Sequence, residues 1–127
     1  MDASSNTDRI QLRVDPAAGV LSLHFKGPVN ADDLEIAHER LVDVATKTQV
    51  GAILIDARFS EPAYTPAELI DNVERSLQFV APRRCAFVAS EDRKREVMLI
   101  ETVSFPFSVR VRAFTTLEDA RAWASEV

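Results

Sequence analysis

Asp56 and Arg58 leave the apolar run VGAILIDA at its carboxyl end. In an open parallel sheet that edge is where ligands gather, because loops and helix N-termini meet there. The segment that follows carries Phe59 and Tyr64, with Ser60 and Thr65 as its hydroxyls. A phosphate on Thr65 would meet the free N–H groups and positive dipole end of the helix it opens. The plainer reading makes Thr65 a helix cap, and has Asp56 pair with Arg58 or cap a turn. Ser90, Asp92 and Arg93 open a later helix at the same edge. With Asp56 and Arg58 they would form a small polar cleft, although Asp92 also suits a first helical turn by charge alone.

Glu35 and His38 stand three apart in DDLEIAHE, a spacing that would put a metal-ligand pair on one helix face. Two ligands do not make a site, and a di-metal carboxylate bundle needs the motif twice with further glutamates. A solvated helix face is the expected role, and no metal is expected. Cys85 lies in CAFVA, where a buried, inert thiol is expected rather than a nucleophile. No Ser–His–Asp order or glycine-rich phosphate loop is present, and the chain has 3 glycines. Nothing supplies an activated nucleophile with its base, so no catalysis and no cofactor are expected.

Elements that alternate and cap at regular intervals must position these groups. Ile10, Leu12 and Val14 alternate with polar residues, DPAAG turns the chain, and Leu21, Leu23 and Phe25 alternate again, which predicts an antiparallel hairpin. Asn30 caps a helix over about 31–47 with Leu34, Ala37, Leu41 and Val44 or Ala45 as its stripe. VGAILIDA and RCAFVAS read as interior strands, apolar throughout. Thr65, Pro66 and Glu68 form a capping box for the second helix, after a loop from Arg58 to Tyr64. Ser90 is expected to cap the helix of EDRKREVMLIETV. Val109, Val111 and Ala113 mark the last strand, and Thr115 with Glu118 a cap for a final helix carrying Leu117, Ala120 and Trp123.

The order is ββαβαβαβα: an α/β fold with a five-stranded, mostly parallel sheet, the first strand antiparallel. Right-handed crossovers put the helices mainly on one face. The apolar centre of the other face then needs cover, for which a second subunit is a plausible source. Residues 1–8 read as a floppy tail and 9–127 as one domain, the size of a single core. The formal charge of −5 speaks against nucleic acid as partner. No stretch is long enough to span a membrane, and the polar, acidic start is unlike a secretory signal, so a reduced cytoplasmic setting is expected.

Val97, Met98, Leu99 and Ile100 are consecutive and apolar, followed by Val103, Phe105 and Phe107. Successive helical residues are about 100° apart, so one face cannot bury them all. The surplus must meet a neighbouring helix, a second copy of the chain in a homodimer, or a small apolar, lipid-like ligand. A cavity lined by Met98, Phe105 and Phe107 would favour the ligand.

The succession VLSLHFKGPVNADDLEIA, GAILIDAR, RCAFVAS and FSVRVRAFTTLEDARAWA resembles the bacterial STAS/SEC14-like family, also described as sporulation anti-sigma-factor-antagonist-like. The likeness runs over residues 10–125 and implies a small cytoplasmic domain that acts by binding another regulatory protein. Antagonists of this fold are switched by phosphorylation of a serine at the start of the helix after the ID strand. Here that stretch reads IDARFSEPAYTPAEL, without the Asp-Ser-Ser-Gly signature, and Ser60 and Thr65 are the nearest hydroxyls.

Overall fold

The computed structural model describes residues 5–6 and 9–126. Strands β1 (Ser5–Asn6), β2 (Ile10–Asp15), β3 (Val20–Val29), β4 (Ala52–Pro62), β5 (Arg84–Val88) and β6 (Arg110–Phe114) form one sheet in sequential order. β1 and β3 run antiparallel to β2, and the pairings from β3 to β6 are parallel. The ββαβαβαβα order and the five strands expected are thus present, and the two-residue β1 adds an edge beyond them. The tail expected over residues 1–8 lies mostly outside the described residues, while the backbone of Ser5–Asn6 pairs with β2.

Four helices flank the sheet: α1 (Ala31–Ala45), α2 (Pro66–Phe79), α3 (Lys94–Ser104) and α4 (Leu117–Ala124). Asn30 and Asp33 close a reciprocal capping box on α1, and Thr65 and Glu68 close one on α2 with Pro66 in its first turn. At the hairpin, Gly19 takes φ +67°, a conformation strained for residues with a Cβ, and its N–H bonds Asp15 O at 2.8 Å. Two caps differ from expectation. Thr116, not Thr115, accepts the N–H of Asp119 at 3.3 Å, because Thr115 comes one residue before the turn. Ser90 gives no side-chain cap; its hydroxyl bonds Asp92, and a 3₁₀ turn over Glu91–Arg93 precedes α3.

The pleat sends alternate residues to opposite faces, and each face has its own core. On one, α1 lays Leu34, Ala37, Leu41 and Val44 on Ile10, Leu12, Leu21, Leu23 and Ile53. Leu69 of α2 and Ile100 of α3 continue that layer over Ala57 and Phe87. On the other, α4 packs Ala120, Trp123 and Ala124 on Val20, Ala52, Leu54, Ala86 and Val88. The centre of the second face therefore has cover within the chain, and no second subunit is needed there. The handedness rule governs crossovers between parallel strands; α4 follows the last strand, and so is free to take the opposite face.

The segment expected as a loop from Arg58 is instead strand as far as Pro62. Lys26, Gly27, Pro28 and Val29 pair with Phe59, Ser60, Glu61 and Pro62, after a register shift between His24 and Lys26. That shift is a β-bulge, with one more residue on β4 than on β3. It separates the candidate residues: Asp56, Arg58 and Phe59 line the face that carries α4, while Ala57, Ser60 and Tyr64 line the helical layer of α1 to α3.

Candidate functional site at the carboxyl edge of the sheet

Asp56 is 3% exposed, and its carboxylate is held by Arg58 of the bulge and His24 of β3. Its Oδ1 accepts from Arg58 N at 3.2 Å and Arg58 Nε at 2.8 Å; its Oδ2 accepts from Arg58 Nη2 at 2.8 Å and lies 3.1 Å from His24 Nδ1. Burial alone would raise this carboxyl's pKa, but the Arg58 guanidinium and the His24 ring hold it well below the usual carboxylate range. The same pairing raises the pKa of Arg58, whose guanidinium also stacks 4.8 Å from the centroid of Phe59. A carboxylate this low and this fully engaged is a poor base; it fixes the bulge and aims Arg58.

On the helical side a second network holds the bulge from behind. Arg93 Nη1 donates to the carbonyls of Ala57 and Ser60, both at 3.1 Å, and its guanidinium pairs with Glu96. Tyr64 donates its hydroxyl to the same Glu96. Burial and the adjacent Glu96 carboxylate raise the Tyr64 pKa above the ordinary phenol range. For Arg93, burial opposes the charged form, but Glu96 overrides it and raises its pKa. The guanidinium and carboxylate side chains are 11% and 12% exposed, so this pair is a near-buried clamp between β4 and α3.

The remaining candidates scatter. Thr65 is exposed and its Oγ1 accepts Glu68 N at 3.1 Å. Ser60 is half-buried and donates to Ala57 O at 3.1 Å. Ser90 and Asp92 are exposed and bonded to each other, and among the described residues no hydrogen bond or ion pair joins them to Asp56 or Arg58. The five-residue polar cleft expected from the sequence does not form, because the bulge turns Asp56 and Arg58 to one face while Arg93 reaches the other. Glu35 pairs with Arg75 at 2.5 Å, while His38 Nδ1 lies 2.8 Å from Ser76 Oγ, so the two turn to different partners. Cys85 is buried among apolar side chains, and that burial pushes its thiol up to about 12. Of the apolar run, Ile100 is buried and Val97 and Leu99 are half-buried against Leu69 and Phe87, leaving Met98 exposed.

A cavity of about 110 Å³ lies between the sheet and the layer of α1 and α2. Leu23, Leu41, Ile55, Val73 and Phe87 are among its walls, with Tyr64, Asn72 and Ser76 as polar points. Asn72 is already engaged, donating to Leu34 O at 2.8 Å. Met98, Phe105 and Phe107, whose lining of a cavity would have favoured an apolar ligand, are not among its walls. His24, Glu96 and Ser76 were absent from the sequence-based site. Each meets a candidate residue across 32 residues of chain or more, or from another element, and no local pattern marks such a contact.

A family model described as SpoIIAA-like matches residues 20–125. The chain belongs to the SpoIIAA-like family. Its fold is similar to an uncharacterised DUF3478-family protein with a SpoIIAA-like fold from Shewanella loihica PV-4, with TM-score 0.68, 16% identity and coverage of 95% of this chain and 98% of that one. It is also similar to the anti-sigma factor antagonist SpoIIAA in its unphosphorylated form, with TM-score 0.61, 16% identity and coverage of 93% and 99%. The Bacillus cell fate determinant SpoIIAA in its phosphorylated form gives 0.60, 15%, 90% and 97%. At such identities these likenesses carry the SpoIIAA-like fold alone. No curated protein matches the chain. Among the described residues, no helix of this SpoIIAA-like domain is long and apolar enough to cross a membrane.

Proposed function

We propose that this chain is a non-catalytic, cytoplasmic regulatory module that works by binding protein partners, with a second copy of itself as the first. The observation that carries the reading is the outer side of α3. Met98 is 65% exposed, and Phe105, the cap at the carboxyl end of α3, lies seven residues on, within about 20° of the same angle, and is 83% exposed. Two large apolar side chains in line, on a helix whose other side is already packed, make a self-complementary contact across a two-fold axis. Leu99, the residue first expected there, is half-buried against the core and is the weaker probe. The Asp56–Arg58 pair with Phe59, and the Tyr64–Glu96–Arg93 clamp behind it, are rigid supports at the sheet edge. Ser90 lies at that edge as a further contact point. Thr65, exposed at the start of α2, is the candidate for phosphorylation; Ser60 is less accessible because its hydroxyl faces the carbonyl of Ala57.

The test is light scattering on a sizing column. The untagged protein elutes at twice its 14.1 kDa mass, and Met98→Glu with Phe105→Glu returns it to one. A monomeric wild type, or a dimer indifferent to both changes, refutes the surface.

A second reading rests on the cavity beneath α1 and α2. At about 110 Å³ it is of the order of the engineered cavities of about 150 Å³ that admit benzene, and so fits a small apolar ligand rather than a whole lipid. Native mass spectrometry of protein taken gently from its host separates the two: a bare dimer mass supports the module, and a small-molecule adduct supports a carrier or sensor.

A further inference from the structure

Arg13, Lys26 and Arg121 take part in none of the networks above. They line a second cavity, of about 290 Å³, on the face of the sheet that carries α4. It is floored by the outward side of β2 and β3 and walled by Leu117 and Arg121 of α4. Its size is at the lower end of small-ligand clefts, which run from about 300 to 1,000 Å³.

The charge of this cleft is opposite to that of the chain. Arg9, Arg13, Lys26, Arg58 and Arg121 all line it, and Asp56 is its one carboxylate, in a protein of net charge −5. Arg9 is paired with Asp33 at 2.8 Å, and Arg58 with Asp56 at 2.8 Å. The other three cations are exposed, and among the described residues none has a carboxylate within ion-pair distance. Asp56 does not neutralise them, since Arg58 and His24 occupy both its oxygens. Three uncompensated positive charges from three elements around one hollow repel one another, and a bound anion relieves that repulsion.

We infer that this cleft binds a small, multiply charged oxyanion of the phosphate-ester or pyrophosphate class, with Arg13, Lys26 and Arg121 as its ligands. Two guanidinium forks match phosphate oxygens in pairs, and the lysine adds a mobile point charge. Phe59, 64% exposed on the lip, offers an apolar shoulder to an organic group attached to the phosphate. The site is independent of the contact surface on α3, because α3 packs on the other face of the sheet.

The experiment is calorimetric titration of the whole chain with sodium pyrophosphate at low salt, in three forms. Wild type binds. Arg13→Glu with Arg121→Glu weakens binding at least about ten-fold, a factor equivalent to about 1.4 kcal/mol. Lys94→Glu with Arg95→Glu makes the same change in net charge at two exposed cations of α3, and keeps wild-type binding. All these side chains are exposed, and unchanged melting curves verify the fold. No heat of binding to the wild type overturns the inference, as does an equal loss in both double variants, since the latter would mean a response to overall charge rather than to this cleft.

Discussion

Replacing Trp123 by alanine tests whether α4 is part of the domain's core or an appendage on its surface. Trp123 is 7% exposed, and its ring lies 5.7 Å from that of Phe114 and 5.1 Å from the Arg84 guanidinium. Arg84 Nη1 also donates to Trp123 O at 2.6 Å, a bond that survives the substitution. A tryptophan buries about 150–250 Å², which at about 25 cal/mol per Å² is worth roughly 4–6 kcal/mol. Alanine retains the first carbon, and a helix eight residues long can settle partly into the gap, so the expected loss is about 3–4 kcal/mol. Against an ordinary stability of about 5–15 kcal/mol, this is a large fraction. Urea unfolding followed by far-ultraviolet circular dichroism is the suitable assay, because the substitution removes the chain's one tryptophan and with it the fluorescence signal. Trp123→Phe, which keeps a ring against Phe114, should recover about half of the loss. A loss below about 1 kcal/mol for the alanine variant would refute the docking of α4, and with it the account of how the second face is covered.

Two further outcomes follow from the bulge. Asp56 has its pKa lowered on folding, so its contribution is complete above the unfolded value of about 3.9 and is lost as pH falls below about 4; urea midpoints should drop with acid more steeply in wild type than in Asp56→Asn, and parallel acid profiles would contradict the pairing. Arg93→Met strips the near-buried Glu96 of its cation and the carbonyls of Ala57 and Ser60 of a donor, at an expected cost of about 3 kcal/mol, and a double-mutant cycle with Glu96→Gln should return a coupling above about 1 kcal/mol.

The parts of the fold that local pattern governs were legible. Alternation at Leu21, Leu23 and Phe25 fixes which side of β3 meets α1, and the Thr65–Pro66–Glu68 triplet marks the start of α2 within a residue. What escaped depends on partners distant in sequence. RFSEP reads as the start of a loop, and becomes strand because the end of β3 offers it a backbone to pair with after the bulge. The single-residue shift then turns Phe59 to the face of Asp56 and Arg58, opposite to the one that alternation assigns it. The same holds for the site. Asp56 beside Arg58 follows from proximity alone, whereas His24 joins them only because β3 and β4 are neighbours in register, His24 opposite Asp56. The apolar surplus at Val97 to Ile100 was correctly a surplus, but three of the four residues are absorbed by α2 and the sheet, and the exposed pair is Met98 and Phe105.

The strictly sequential strand order bears on how the chain is made. Each strand pairs with the one synthesised just before it, so no strand has to wait for a later one to be inserted beside it. The first hydrophobic cluster draws almost wholly on residues from Ile10 to Ile53, Val80 apart, and can gather while the rest of the chain is still being translated. The cluster under α4 is the opposite case. It joins Val20 and Ala52 to Trp123 and Ala124, and so closes only when the last helix emerges. Until then Leu54, Ala86 and Val88 face water. On a ribosome this domain begins one side early, completes it with α2 and α3, and leaves the other open until α4 emerges, the interval in which a chaperone would find it.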